Sequence, residues 1–336
     1  MCDDFCYRIS IIFLKKVDEV LNQLNVFLTR YMPILTPLSL VVGVLLESVG
    51  QHLLFLVAWL FALMTFISSL GMKFTDVKVF ARYPKTILSV IAFLHILMPL
   101  WAFALSEIIF DDHLLTLGFV VAVAVPTGVT SIIWVTVSKG NVPLCLAIVL
   151  IDTLLAPVIM PALIHLVAGK SIRIDSLSLI VDLIWMIVIP SILGVLVNER
   201  TKGHFNQKYG QLLAPISKLC LFAVVMINSS AIAPYLKNVN GELFVVILVV
   251  GMVTIAGYFF AMMIGKFILR DHAVGATILF TGGMRNIALG VVIATTYFPA
   301  KVAMPVVFGM LFQQIMASLF LRWNSRWYVR WNVSKE

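Results

Sequence analysis

The sequence is poor in charged residues. Asp, Glu, Lys and Arg make up 12% of its 336 residues, whereas hydrophobic residues make up 61%. Soluble globular domains contain roughly 25% charged residues. A chain of this length with half that share cannot cover a water-facing surface, so its surface is predicted to face lipid. A soluble globular protein is therefore excluded as the expected class.

Several motifs that carry chemistry are also missing. The four cysteines form no CxxC pair and no cluster with histidine, so neither a disulfide framework nor a zinc site is predicted. No HExxH motif, nucleophile–base set or P-loop is present, which argues against an intramembrane enzyme and against nucleotide-driven work. No cofactor is expected. The excess of 24 basic over 16 acidic residues lies in short loops, so it does not indicate nucleic-acid binding.

What the sequence has instead is long apolar runs. A helix that crosses the hydrocarbon core needs about 20 apolar residues. Ten runs meet this requirement and predict an all-α polytopic membrane protein. They are 32–48, 52–72, 86–107, 113–137, 142–168, 176–197, 211–235, 242–269, 272–298 and 300–321.

The basic residues predict the orientation. Eighteen of the 24 Lys and Arg residues fall on the side of the N-terminus, and four fall on the opposite side. Because cytoplasmic loops are enriched in Lys and Arg, both termini are predicted to be cytoplasmic in a multi-pass protein of the cell membrane. Residues 1–31 are predicted as a cytoplasmic segment that is amphipathic over 8–30, and 322–336 as a basic aromatic tail at the lipid headgroups. The bilayer is the expected partner, and the oligomeric state stays open.

The two halves, 32–168 and 176–321, contain five runs each, and the fourth run of each half is interrupted. Residues 125–131 read VPTGVTS, and residues 280–286 read FTGGMRN. A single glycine in such a helix is usually a packing residue, but paired interruptions at matching positions mark the substrate site of a transporter. The odd number of runs per half predicts an inverted repeat. The predicted substrate-binding residues are Pro126, Thr127, Gly128, Thr130, Ser131, Thr281, Gly282, Gly283, Arg285 and Asn286.

These motifs resemble the bile acid:sodium symporter family of secondary transporters. The resemblance spans roughly 32–321 and rests on five segments: 68–72 (SSLGM), Met98-Pro99, 126–131 (PTGVTS), 154–161 (LLAPVIMP) and 283–290 (GMRNIALG). It implies ten helices in two inverted five-helix repeats, with broken helices 4 and 9 crossing in a core domain beside a panel domain. It also implies a small organic anion as substrate, such as a bile acid, a steroid sulfate or a small carboxylate.

The sequence departs from that family where sodium ligands are expected. Ser131 is kept, but Ile132 stands in the place of an asparagine, Thr281 in the place of a glutamate and Arg285 in the place of a glutamine. In the fifth run, hydroxyls are largely replaced by Cys145, Val149 and Asp152, with Thr153 nearby. A hard cation needs several oxygen ligands. Sodium coupling is therefore in doubt, and transported protons or uncoupled exchange are open alternatives.

Ionisable residues at membrane depth suggest what replaces sodium. Such residues cost about 2.5–3.5 kcal/mol and are usually paired and functional. One hypothesis pairs Arg285 with Asp152, so that the guanidinium takes the place and charge of a sodium ion and Asp152 can accept a proton. In another, Arg285 binds the carboxylate or sulfate of the substrate. A static pair is the third. His95 is either a proton relay or a hydrogen-bonded core histidine. Asp182 and Lys218 are predicted to be paired or to reach the interface.

The function predicted from the sequence is alternating-access transport of a small organic anion. A sodium-coupled symporter with a modified ion site, a channel and a membrane sensor remain alternatives. The short loops leave no room for the soluble output domain of a typical sensor.

Overall fold

The chain is almost entirely helical. The computed structural model describes residues 2–169, 175–237, 241–269 and 271–333, with side chains for 19–32, 34–169, 175–234, 241–266 and 271–324. Helix accounts for 89%, and the described residues contain no strand beyond one isolated bridge. The predicted all-α class is confirmed.

Sixteen α-helices follow in chain order within the described ranges. They are α1 Cys2–Leu45, α2 Glu47–His52, α3 Leu54–Ser69, α4 Val79–Arg82, α5 Pro84–Ala92, α6 Met98–Ile109, α7 His113–Ala124, α8 Ser131–Val137, α9 Val142–Ala168, α10 Ser176–Leu183, α11 Ile189–Arg200, α12 His204–Lys237, α13 Gly241–Met263, α14 His272–Gly283, α15 Ile287–Tyr297 and α16 Ala300–Val333. A 3₁₀-helix precedes α4, and π-helical turns join α5 to α6, join α10 to α11 and follow α13.

Six helices are long and apolar enough to cross a membrane by themselves. They are Pro84–Ile109, Val142–Ala168, Ser176–Arg200, His204–Pro234, Gly241–Lys266 and Ala300–Asn324. Two bent pairs, Glu19–Met32 with Ile34–Leu45 and Leu54–Ser69 with Phe74–Arg82, raise the count to eight among the described residues. The runs 113–137 and 272–298, predicted as the interrupted fourth and ninth spans, are each divided into two short helices.

The helices pack in two groups that meet along one face. The flanking group contains α1, α2, α3, α10, α11 and α12, in which α12 packs against both α1 and α3. The crossing group contains α5 to α9 and α13 to α16, in which α16 packs against α7 and α13. Contacts of α12 with α15 and α16, and of α10 with α9, join the groups. Both divided helices lie in the crossing group, and α15 contacts α12 and α3 of the flanking group.

The predicted terminal segments fall partly outside the described side chains. α1 bends by 79° between Glu19–Met32 and Ile34–Leu45, beside the predicted boundary at residue 31. Residues 1–18 and 325–336 lie outside the described side chains. The part of the predicted apolar face before residue 19 and the part of the predicted aromatic tail from residue 325 onwards therefore fall outside them.

An ion-pair cluster fixes one end of the crossing group. Lys301 Nζ donates to Asp112 Oδ2 at 2.6 Å and to Glu242 Oε1 at 2.7 Å, which ties α16 to the starts of α7 and α13. Asp112 also caps α7 by accepting from the N–H groups of Leu114 and Leu115. Partial burial raises the pKa of Asp112, but these hydrogen bonds outweigh it and hold the pKa below the usual 3.8.

Asp112→Ala is expected to lower the unfolding free energy of the detergent-solubilised protein by about 1 kcal/mol, because it removes the cap of α7. Asp112→Asn keeps a capping oxygen and loses only the charge, so it should lower the unfolding free energy by only about a few tenths of a kcal/mol. The pKa of this carboxyl is lowered by folding, so its charge stabilises above about pH 4 and ceases to do so as the pH falls through the lowered pKa. Thermal unfolding should thus separate the wild type from Asp112→Asn at neutral pH and not at strongly acid pH. Equal stability of all three proteins at neutral pH would contradict this role.

Candidate functional site

The two interruptions predicted from the sequence lie against each other. The segment between α7 and α8 and the segment between α14 and α15 form an antiparallel bridge at Thr127 and Arg285. Gly128 N donates to Met284 O at 2.9 Å, and Asn286 N donates to Pro126 O at 2.7 Å. A backbone that leaves a helix inside a membrane must find other hydrogen-bond partners. Here each break supplies partners for the other, and this contact between residues 126–128 and 284–286 is called the crossing.

The glycines of both breaks are needed for this close approach. A Cβ on Gly128 would lie 2.9 Å from the carbonyl oxygen of Arg285, and a Cβ on Gly283 would lie 2.3 Å from the ring of Tyr258. Contacts this short do not occur for real Cβ atoms. Tyr258 is itself fixed, since its hydroxyl donates to Gln313 O at 3.0 Å. Both glycines therefore serve packing as well as the break.

A buried pair of an aspartate and a histidine is hydrogen-bonded to the crossing. Asp152 of α9 is fully buried, and its Oδ1 lies 2.5 Å from His95 Nε2. Its second oxygen, Oδ2, accepts from the backbone N–H of Thr127 at 2.6 Å. His95 lies on the π-helical turn Phe93–Leu97, and π-turns inside α-helices are frequent at functional sites. A protonatable pair is thus hydrogen-bonded directly to a broken helix.

The same π-turn frees a carbonyl for Arg285. Met98 N donates to Phe93 O, and Pro99 has no N–H, so Leu94 O has no donor within its own helix. Arg285 Nη2 donates to Leu94 O at 3.4 Å. Arg285 Nη1 is buried and has no hydrogen-bond partner among the described residues. One side of the guanidinium therefore still has donors to offer.

The predicted direct pair between Arg285 and Asp152 is not what the described structure contains. The ion partner of Asp152 is His95, and Arg285 acts on Asp152 only as a nearby charge. The backbone N–H of Arg285 donates to Gln313 Oε1 at 2.9 Å. The hypotheses for these residues did not include the contact between His95 and Asp152, because a hydropathy pattern does not register the π-turn on which His95 lies. His95 is buried and hydrogen-bonded, which is compatible with both alternatives that the sequence left open for it.

A cavity of about 100 Å³ adjoins the crossing, between the two helix groups. The predicted site residues that line it are Gly128, Thr130, Thr153, Arg285 and Asn286. Polar residues that were not predicted as site residues also line it, among them Ser68 and Ser69 of the SSLGM segment, Ser191, Gln313 and Gln314. The adjacent glutamines inside an apolar run were the available signal. Gly282 and Gly283 line a smaller cavity of about 40 Å³ on the other side of Arg285.

The hydroxyls of other predicted ligands donate to neighbouring groups and keep their oxygen lone pairs. The hydroxyl of Thr281 donates to Thr277 O at 2.8 Å, and that of Thr153 donates to Val149 O at 2.6 Å. Ser131 is fully buried with its hydroxyl 3.6 Å from the sulfur of Cys145. In the described residues, no three His, Cys, Asp or Glu side chains are grouped so that they could hold a metal ion.

A second, wider cavity of about 430 Å³ adjoins the first and shares Met64, Ser68, Val129, Thr130 and Leu221 with it. It extends along the end of α3 and the first half of α12. These segments lie on the side of the N-terminus, whose loops carry most of the basic residues. Lys218 lines it, and its Nζ donates to Asn25 Oδ1 of α1. Asp182, the other charge predicted to need a partner, lies outside this cavity, and Tyr297 Oη donates to its Oδ2 at 2.5 Å. The predicted partners of both charges therefore exist.

Comparison with known proteins identifies the family. The model of the SBF-like CPA transporter family matches residues 27–322, which is most of the chain. The chain belongs to this family. The resemblance predicted from the five sequence segments is confirmed, and the chain is a multi-pass membrane transporter and not an enzyme.

The transporter has curated relatives in bacteria and plants. It is 44% identical over 290 residues to the uncharacterized protein YbaS of Bacillus subtilis, covering 86% of this chain and 95% of that protein. It is 27% identical over 261 residues to the uncharacterized sodium-dependent transporter YocS of the same organism, covering 76% and 79%. It is also 27% identical over 232 residues to the probable sodium/metabolite cotransporter BASS1, chloroplastic, of Oryza sativa, covering 68% and 56%.

Proposed function

We propose that this transporter carries a small organic anion by alternating access, and that protons bound at His95 and Asp152 take the role that sodium has in relatives. The substrate class is a bile acid-like compound, a steroid sulfate or a small carboxylate. The observation that carries the proposal is the buried Nη1 of Arg285, which has no partner among the described residues and lies beside the cavity at the crossing.

An anion would accept hydrogen bonds from the N–H donors that remain free at the crossing. A guanidinium binds carboxylate and sulfate through paired N–H donors. The N-terminus of α15 adjoins the same cavity through Asn286, Ile287 and Ala288, and no side chain caps it. Its first N–H groups and the helix dipole therefore favour negative charge at the same place. Arg285 and the start of α15 form one anion-binding corner.

The proposed coupling to protons is based on the groups at the crossing that can change their charge. The cavity at the crossing is lined by hydroxyl and amide oxygens, but among the described residues no carboxylate lines it, so a sodium ion would lack a charged ligand there. The His95–Asp152 pair can gain or lose a proton, and Asp152 Oδ2 holds the N–H of Thr127 in the break. A change of protonation would thus act directly on the segment that borders the substrate. Proton coupling through this pair has two alternatives: the pair is static, or the carrier exchanges substrate without a coupling ion.

The membrane arrangement belongs to the same proposal. The six long helices, the two bent pairs and the two divided helices add up to ten spans. An odd number of five per half then gives two inverted repeats, with the crossing group as core domain and the flanking group as panel. Both termini are cytoplasmic in the cell membrane, because the basic loops lie on their side.

A sodium-coupled symporter is the second candidate. It is favoured by relatives whose names describe them as sodium-dependent or as sodium/metabolite cotransporters. In that case Ser131, Asn286 and backbone carbonyls of the breaks would form a modified ion site.

Uptake into proteoliposomes tests the proposal. Purified protein is supplied with labelled taurocholate, a steroid sulfate or a small carboxylate while proton and sodium gradients are imposed separately. Saturable uptake with counterflow, driven by a proton gradient and indifferent to sodium, is expected. Sodium-driven, proton-independent uptake would overturn the coupling, and uptake without saturation or counterflow would indicate a channel.

A further inference from the structure

We propose that another cavity, at the end of the molecule opposite the basic loops, binds an amphipathic primary ammonium compound between Asp182 and Asn228. The cavity has a volume of about 340 Å³ and lies between the start of α3, α10, the second half of α12 and the last turns of α15. The opposite end, whose loops carry most of the Lys and Arg residues, is called the basic end. The inference goes beyond the proposed function, because it concerns a separate cavity and a ligand of the opposite charge.

Asp182 is an acid without a counter-charge in this cavity. Its carboxylate is half-buried, and its Oδ2 accepts from Tyr297 Oη at 2.5 Å. No Lys, Arg or His is among the described residues that line the cavity, and none of the described ion pairs involves Asp182. Ionised side chains at membrane depth are usually paired. The phenol of Tyr297 orients the carboxylate without neutralising it, so a cation supplies the missing charge.

Asn228 is a buried amide without hydrogen bonds in the same cavity. Its side chain is 1% exposed, and neither Nδ2 nor Oδ1 has a partner among the described residues. Buried polar groups in native proteins are nearly always hydrogen-bonded to protein, water or ligand. An ammonium with several N–H groups can donate to the carboxylate of Asp182 and to Oδ1 of Asn228. Nδ2 is then left to donate to an accompanying water.

The remaining walls select an ammonium that carries an apolar body. They are formed largely by aliphatic side chains, namely Leu54, Val57, Met186 and Val292, and by the ring of Phe55. A bare inorganic cation would leave these walls in contact with water, whereas an alkyl chain covers them. An aromatic ring also attracts a cation to its face. An organic anion is disfavoured because Asp182 repels it.

The cavity lies between the two groups of helices. Asp182 and Asn228 belong to the flanking group, whereas Thr295 and Thr296 on the facing wall belong to α15 of the crossing group. The hydrogen bond from Tyr297 to Asp182 joins the groups at the same place. A bound ammonium compound therefore contacts both groups at once. In a carrier whose groups move past each other, such a ligand slows the movement.

Protection of a cysteine tests the site. Thr296→Cys, which is exposed and lines the cavity, is placed in the full chain in phosphatidylcholine nanodiscs and labelled with a neutral methanethiosulfonate reagent. Labelling of the parent protein is subtracted. Saturating octylamine at neutral pH is expected to slow labelling about threefold or more, whereas 1-octanol and octanoate leave the rate unchanged. Equal protection by 1-octanol would show that the amine acts through the lipid, and it overturns the site.

Three variants assign the protection to the proposed groups. Asp182→Asn keeps an oxygen for Tyr297, and Asn228→Leu keeps the size of the side chain without the amide. Each is expected to raise the octylamine concentration for half-maximal protection about tenfold. Without ligand, Asn228→Leu should be at least as resistant to thermal unfolding as the wild type, because an unpaired buried amide is removed. Glu107→Gln removes an exposed acid outside the cavity at the same end and should leave protection unchanged.

The site is overturned if octylamine gives no protection, or if protection is the same in Asp182→Asn and Asn228→Leu as in the parent Thr296→Cys protein. Nanodiscs of phosphatidylethanolamine distinguish a soluble amine from a lipid headgroup with the same ammonium. If the headgroup occupies the site, labelling is slower in these nanodiscs than in phosphatidylcholine, and Asp182→Asn removes the difference. Equal labelling in both lipids, with octylamine protection retained, assigns the site to a soluble amine.

The labelling experiments need no transport, so they decide the site even where the proposed function fails. If uptake of an organic anion is observed, octylamine should lower its maximal rate about threefold in the wild type and leave Asp182→Asn unaffected. Equal inhibition of both proteins would contradict an action through this cavity. A complete lack of organic-anion uptake overturns the proposed function alone.

Discussion

Asp152→Asn is expected to abolish proton-driven accumulation while counterflow exchange of the substrate continues. The asparagine can still accept the N–H of Thr127, so the crossing stays closed, but it cannot take up or release a proton with His95. Losing a charge-assisted hydrogen bond costs about 1.5–3 kcal/mol, which corresponds to a tenfold to hundredfold slower cycle. Proteoliposome uptake with an imposed proton gradient, compared with counterflow at equal pH, measures both effects.

Two further variants keep the Asp152 experiment interpretable. His95→Gln removes the other half of the pair and should give the same loss of proton response. Asp182→Asn removes another acid at membrane depth, whose carboxylate is bonded to Tyr297, and should retain the response. If Asp152→Asn and His95→Gln both accumulate substrate down a proton gradient as the wild type does, the pair is static and the proton hypothesis fails.

Arg285→Gln is expected to raise the KM for the organic anion about tenfold to hundredfold, with a smaller effect on the maximal rate. The glutamine keeps the backbone N–H that donates to Gln313 Oε1, so the break remains attached to α16. What is lost is the charged donor beside the cavity, worth about 1.5–3 kcal/mol toward a carboxylate or sulfate. Arg285→Lys keeps the charge without the planar fork and should lie between the two proteins. Initial-rate uptake at several substrate concentrations provides both parameters.

The control for Arg285 is Arg82→Gln, which removes one exposed positive charge near the basic end. Its KM should match that of the wild type. The alternative hypothesis, in which Arg285 replaces a sodium ion, makes a different prediction for the same variant: removal of the arginine would create a requirement for sodium. An unchanged KM, with or without sodium, would exclude Arg285 from both roles.

The placement of the helices was largely accessible from the sequence. The run 142–168 coincides with α9, and the runs 113–137 and 272–298 divide at the proline and glycine motifs that were identified. Apolar length, proline and glycine act over a few turns of one helix, so they can be recognised without knowledge of the rest of the chain. The same local signals located most of the cavity-lining residues of the two breaks.

The partners of the charged residues were not accessible in this way. One hypothesis paired Asp152 with Arg285, whereas the fold places its carboxylate against His95, which lies on a π-helical turn. Lys218 and Asp182 were known to need partners, but Asn25 and Tyr297 lie 193 and 115 residues away. Such contacts depend on how helices are rotated and packed, which no short segment specifies.

The sequence by itself determined that this protein is a helical membrane transporter whose backbone is interrupted twice, because burial in lipid imposes apolar length and makes every interruption conspicuous. Only the tertiary structure decided that the interruptions bond to each other, that Asp152 faces His95, and that Nη1 of Arg285 has no hydrogen-bond partner among the described residues. The physical reason is the range of the interactions: hydropathy is a property of consecutive residues, whereas hydrogen bonds between side chains depend on the packing of distant helices.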